Sequence, residues 1–153
     1  MNVTIASRQR VRKINRRLLK RITTTLLADL KIEKVELGIH FVAAPEMTRL
    51  NEKFLRHAGS TDVITFDYSA PRRRTPDAGR QLHSEIFVCV DEAVLQARKF
   101  STSWQSEVMR YIVHGILHLL GFDDSSAGAR RKMKREENRR LRAIGRHFPL
   151  SKL

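Results

Sequence analysis

The sequence predicts an α+β fold, a small mixed β-sheet of about four strands packed against about five helices, with a metal site on a buried helix. Three observations carry that prediction. Segments alternating at period two are interleaved with segments at helical spacing, in the order β-α-β-α-β-β-α-α-α. The 153 residues are 41% hydrophobic, enough for one core that removes roughly 70% of the unfolded surface from water. Residues 1–153 are therefore read as a single domain. The one cysteine, Cys89, excludes a disulfide framework and a four-cysteine zinc ribbon. No apolar run approaches the ~20 residues of a membrane span, so the chain reads as soluble and not membrane-bound.

Val3 and Ile5 alternate with polar neighbours as a short first strand. Val11, Ile14, Leu18, Ile22, Leu26 and Leu30 then hold helical spacing, predicting a helix over about 10–30 whose basic residues Lys13, Arg16, Arg17 and Lys20 form one outward stripe. Val35 to Val42 alternates as a strand, and Pro45 opens a helix through about Leu55, with Met47, Leu50 and Phe54 inward. Val63 to Tyr68 is β-branched and aromatic, hence a strand. Residues 69–83, with two prolines, a glycine and Arg72-Arg73-Arg74, predict a mobile loop. Glu85 to Val90 is the next strand, with Cys89 in the core and Asp91 placed to cap a helix over about 92–100. A long helix from Trp104 to Leu120 is apolar almost all round from Tyr111 onward, so it runs through the interior until Gly121 stops it. The last helix, about 126–145, turns Met133, Leu141 and Ile144 inward and Arg131, Arg135, Arg139 and Arg142 outward.

The formal net charge is +14, and it is unevenly spread. Residues 1–34 and residues 125–153 each carry ten basic and two acidic side chains, while the 90 residues between carry ten and twelve. A near-neutral centre between two cationic ends suits a polyanionic partner, nucleic acid first. Arg16, Arg17, Lys20, Arg131, Arg135 and the Arg72-Arg73-Arg74 run are the residues placed to contact its phosphates. Two targeting look-alikes, an Arg-rich N-terminal segment and the C-terminal Ser151-Lys152-Leu153, are read as a packed helix and a chance match.

The chemistry concentrates in His114-Gly115-Ile116-Leu117-His118-Leu119-Leu120-Gly121-Phe122-Asp123-Asp124. Two histidines four apart share a helix face, their β-carbons ~5–6 Å apart, within reach of one metal ion. Imidazoles on an otherwise apolar helix need a partner to offset lost hydration. Gly121 turns the chain back, and Asp124 then supplies a third ligand, with Asp123 the rival. Gly115 stands where H-E-x-x-H peptidases hold their glutamate base, so a metallopeptidase fits the histidine spacing but lacks its base. Three protein ligands leave a position open for a catalytic metal-bound water.

This motif resembles the signature H-G-x-L-H-L-x-G-Y-D-H of the YbeY endoribonucleases, with Phe122 for tyrosine and Asp124 for the final histidine. Leu50-Asn51, Thr61 to Phe66, Ser84-Glu85-Ile86, Val90 to Ala93, Met133 and Glu137 resemble the same family over about residues 35–142. The resemblance implies an α+β fold and one Zn²⁺ per chain, held by His114, His118 and, by position, Asp124. It implies single-strand-specific cleavage of RNA in the bacterial cytoplasm. The expected role is 16S rRNA 3′-end maturation and ribosome quality control, with ribosomal RNA and the small subunit as partners.

Two departures stand out. Asp124 adds a negative charge to the metal site, which makes the bound water a weaker acid and shifts metal preference. The arginine that the family places five residues after its Leu-Asn pair is Leu55 here; Arg56 and His57 are the neighbouring substitutes, His57 also reading as a solvated loop residue. His83, at a loop end, is placed to approach the metal, whereas His40 in a strand reads as structural. The competing function is a ribosome-binding assembly factor with a structural metal and no nuclease activity; a closed four-ligand site marks it, three ligands the enzyme.

Overall fold

The computed structural model describes residues 1–69 and 80–153. Four strands form one sheet: β1 (Asn2–Ser7), β2 (Ile32–Val42), β3 (Val63–Asp67) and β4 (Arg80–Cys89), in the spatial order β1-β2-β4-β3. β1 and β4 lie parallel to β2, and β3 runs antiparallel to β4, so the sheet is mixed as expected. The helices are α1 (Arg16–Asp29), α2 (Ala44–Leu50), α3 (Val90–Phe100), α4 (Trp104–Leu119) and α5 (Ala127–His147). None is long and apolar enough to cross a membrane.

Parallel neighbours need crossover connections, and α1 supplies the one between β1 and β2. Leu19, Ile22 and Leu27 of α1, Leu37, Ile39 and Phe41 of β2, Ile86 of β4 and Met109, Ile112 and Ile116 of α4 are buried together in the main core. A smaller core of Val42, Met47, Ile64, Phe87 and Cys89 sits where α2 covers one end of the sheet. α4 lies close on β3 and β4 because residue 115 has no side chain: a β-carbon there would come within 3.1 Å of Thr65 Cγ2 and 3.2 Å of Ile86 Cδ1. The glycine that removes the peptidase base thus also sets the distance between helix and sheet.

Several boundaries differ from the sequence reading, each for a local reason. α1 begins at Arg16, so Lys13 lies outside it; Asn15 Oδ1 caps it by accepting the Leu18 N–H at 3.1 Å. The expected loop over 69–83 is strand from Arg80 onward, held to β2 by parallel pairing from Ile32↔Arg80. Arg72, Arg73 and Arg74 lie outside the described residues. Residues Asn51–Leu55 form a wider π-type turn that ends at Arg56 with φ 54°, and its altered phase leaves Phe54 about half exposed instead of inward. Asp91 caps no helix: α3 starts one residue before it, and its Oδ2 accepts the Ala44 N–H at 2.6 Å, tying α3 to α2. Ser126 Oγ caps α5 through the Ala129 N–H, and Met133 and Ile144 are buried as expected.

Candidate metal centre

α4 presents His114 and His118 on one face, with ring centroids 4.8 Å apart at 77°. The helix is buried on its other sides, but these two side chains remain 28% and 33% exposed. Beyond Leu119, Gly121 adopts φ 98°, a left-handed conformation that returns the chain toward the helix. The Gly121 N–H donates to His118 O at 3.0 Å and the Phe122 N–H to Leu117 O at 3.1 Å, closing the turn. This brings Asp124 Oδ2 to 3.8 Å from His118 Nε2. One ligand atom from each of His114, His118 and Asp124 lies within 4.8 Å of the others.

The donor set fits a divalent ion of the zinc kind: two imidazole nitrogens and one carboxylate oxygen, each an accepted ligand. The ligand atoms, up to 4.8 Å apart, would need side-chain rotations to share one zinc with bonds of ~2.0–2.1 Å. Asp124, more than half exposed on a surface turn, is free to make them. Asp123 is turned away, its Oδ1 accepting the Ser125 N–H and Oγ–H at 3.2 and 2.9 Å.

Behind His114 sits Glu137 of α5, buried at 5% exposure. The His114 Nδ1–H donates to Glu137 Oε1 at 2.6 Å. A carboxylate only accepts, so this bond puts the neutral ring's proton on Nδ1 and leaves the lone pair on Nε2, the nitrogen that would bind a metal. Burial works against protonation of His114, but the hydrogen bond and charge of Glu137, with Asp62 and Asp124 adding, outweigh it and shift the ring's pKa upward. Arg110 holds the other oxygen of Glu137 at 3.8 Å and donates to Asn138 Oδ1 at 3.0 Å.

Two of the three residues open onto a cavity of about 290 Å³ between α4, α5 and the start of β3. His114 and Asp124 line it beside Arg110, Arg130 and Lys134, and Asp62 stands at its edge. The sequence reading assigns none of Asp62, Arg110, Arg130 and Lys134 to the site. The signal is present on α5, where Arg130, Lys134 and Glu137 fall at i, i+4 and i+7 on one face. Arg131 and Arg135 are exposed one residue further round and line no part of the cavity. Arg56 and His57 are exposed and also lie outside it. Arg16, Arg17 and Lys20 are exposed on α1. His83 does not approach the histidine pair; it lies on β4 with Nε2 3.7 Å from Glu36 Oε2. His40 bonds Glu85 Oε1 through Nε2 at 3.0 Å, while its Nδ1 is buried without a partner, so only half of its structural expectation holds.

Fold and site together define a class: a small α+β protein with a two-histidine, one-carboxylate cluster able to hold a metal ion, beside a cavity lined by three cations and three carboxylates. Comparison with known proteins narrows it. The family described as endoribonuclease YbeY matches residues 1–145. A protein named endoribonuclease YbeY from Chlorobium phaeovibrioides is 32% identical over 127 residues, 83% of this chain and 80% of the relative. One of the same name from Azobacteroides pseudotrichonymphae is 32% identical over 131 residues, 86% and 88% of the two chains. A solution structure of a Thermotoga maritima protein superposes with a TM-score of 0.63 at 23% identity over 94% of this chain and 89% of that one, which bears on the fold. The chain belongs to the endoribonuclease YbeY family.

Proposed function

We propose that this protein is a zinc-dependent endoribonuclease that cuts single-stranded RNA, acting in the cytoplasm on ribosomal RNA of the small subunit, in 16S 3′-end maturation and ribosome quality control. The observation that carries the reading is the convergence of His114, His118 and Asp124, two of which line a cavity that also holds three cations. Membership of a family named for RNA cleavage supports the substrate.

Zinc held by these residues supplies Lewis acidity toward a phosphodiester and lowers the pKa of water toward ~7. The chain's own residues do the rest. Glu137 fixes the His114 ring and tautomer through Nδ1. Gly121 sets the turn that carries Asp124 to the histidines. The exposed stripe of Arg16, Arg17 and Lys20 on α1 attracts the RNA backbone at longer range. Among the described residues the cluster offers three ligands and no fourth, which supports a catalytic metal over the structural metal of an assembly factor.

The test pairs metal content with cleavage of a single-stranded RNA, for wild type and His114→Ala prepared together. About one zinc per chain and cleavage in wild type, both lost in a variant that stays folded, is the expected result. A wild-type protein that holds zinc and never cuts would hand the reading to the assembly factor.

A further inference from the structure

We infer that Arg110, Arg130 and Lys134 form the phosphate-binding site of the metal cavity, so that the strand to be cut lies in the cleft between α4 and α5 and not along the outer basic face of α5. The inference rests on the nuclease reading for the identity of the anion and on geometry for its place. The cavity is lined by three carboxylates, Asp62, Asp124 and Glu137, and by these three cations. Its formal charge is therefore balanced, and a divalent ion among the ligands leaves it cationic. A phosphodiester, with a single negative charge, is the complement to that excess.

The cations reach the cavity from two helices. Arg110 comes from α4, one helical turn before His114, and its guanidinium is held in place by Glu137 Oε2 at 3.8 Å and Asn138 Oδ1 at 3.0 Å. Those contacts engage one end of a planar five-donor group, which leaves further N–H groups to meet a phosphate oxygen. Arg130 comes from the first turn of α5, anchored by a 3.1 Å bond from its Nη1 to Asp124 O, which couples it to a metal-ligating residue. Lys134 follows one turn later on the same face. Arg131 and Arg135 lie about 100° further round the helix, exposed to solvent on a different face. Neither Leu55 nor Arg56 lines the cavity, whose cations come from α4 and α5.

The site is testable without any cleavage. Binding of a short single-stranded oligodeoxyribonucleotide, which an RNA-cutting enzyme leaves intact, to the zinc-loaded protein is followed by fluorescence anisotropy across a salt series. For a single strand, the slope of log affinity against log salt falls by ~0.7 for each phosphate the protein ceases to neutralise. Arg130→Ala with Lys134→Ala is expected to lower the slope by about 1.4 and weaken binding, whereas Arg131→Ala with Arg135→Ala leaves both nearly unchanged. Arg110→Lys, which keeps the charge and loses the fork, is expected to hold the slope but weaken binding severalfold. Thermal melts confirm that each variant is folded. An unchanged slope in the Arg130/Lys134 variant, or a drop confined to the Arg131/Arg135 variant, overturns the inference. Because the readout needs no turnover, a wild type that never cuts RNA, with the slope still lowered in the Arg130/Lys134 variant, would sink the nuclease reading and leave the phosphate site standing.

Discussion

Glu137 shows how much of a metal site lies one shell behind the ligands. Its carboxylate is buried on α5, a helix that supplies no ligand, yet it selects the tautomer of His114 through the 2.6 Å bond to Nδ1. The same carboxylate is the counter-ion of Arg110, so removing its charge frees both a ring and a guanidinium. Glu137→Gln keeps the shape and an acceptor oxygen while losing the charge that raises the basicity of the ring. Loss of such a partner costs roughly 10–100-fold in metal affinity, and that range is the expected result in a competition titration of the variant against a coloured zinc chelator. An affinity equal to wild type would mean that the ring is oriented by packing alone. Asp124 makes a different point. The two histidines and the carboxylate were legible because helical spacing and a glycine stop are local rules, and the structure brings the three together. The cations of the cavity were not legible: α5 carries arginine and lysine on several sides, and only its packing against α4 decides which side faces the ligands.

Among the elements, α4 and α5 follow their sequences most directly. α4 has an apolar surface to bury and a Ser103 cap, its Oγ accepting the Ser106 N–H at 3.1 Å; α5 has Ser126. What the sequence left out are features that one element imposes on another. Arg80 and Gln81 look like loop by composition, but the parallel edge of β2 continues back to Ile32 and draws them into β4. Asp91 looks like a cap, but α3 begins at Val90 and the Asp91 carboxylate accepts the Ala44 N–H of α2 instead. Phe54 fits an inward helical phase that the π-type turn then rotates outward. α5 itself is held partly by charge. Arg139, then Arg140, donate to Glu136 at 2.8 and 2.9 Å, and these bonds and charges together outweigh burial and hold the Glu136 carboxyl below the usual carboxylate range. A depressed folded-state pKa contributes stability above the unfolded value of ~4.3 and loses it as pH falls through the folded one. Glu136→Gln is therefore expected to melt lower than wild type near neutral pH, by the equivalent of about 0.3–1 kcal/mol for helical pairs of this kind. The two melting curves should converge below the carboxylate range. A gap that persists undiminished at low pH would assign the effect to packing and not to the ion pairs.

At the scale of the whole molecule, the question is whether the fold depends on its metal. The main core joins α1, β2, β4 and α4 through buried residues such as Leu19, Ile39, Ile86 and Ile112, none of them in the ligand cluster. The ligand atoms sit at the rim of that core: both histidines are partly exposed, and Asp124 lies on a surface turn. Small structural zinc sites behave differently, since a chain without another core unfolds when the ion is removed. Here the expectation is that chelation leaves the far-ultraviolet circular dichroism at 25 °C unchanged and lowers the melting temperature only by what binding linkage contributes. That contribution is about 2.7 kcal/mol at a metal concentration one hundred times the dissociation constant, and each kcal/mol moves the midpoint by about 2–4 °C for a chain of this size. The loosening should be local, so hydrogen exchange after chelation should quicken in the Gly121–Ser126 turn and leave β2 and the middle of α4 protected. Global loss of helix signal on chelation would contradict this separation of core and site. It would make the ion part of the scaffold, which is the condition under which a ribosome-binding factor with a structural metal becomes the better account.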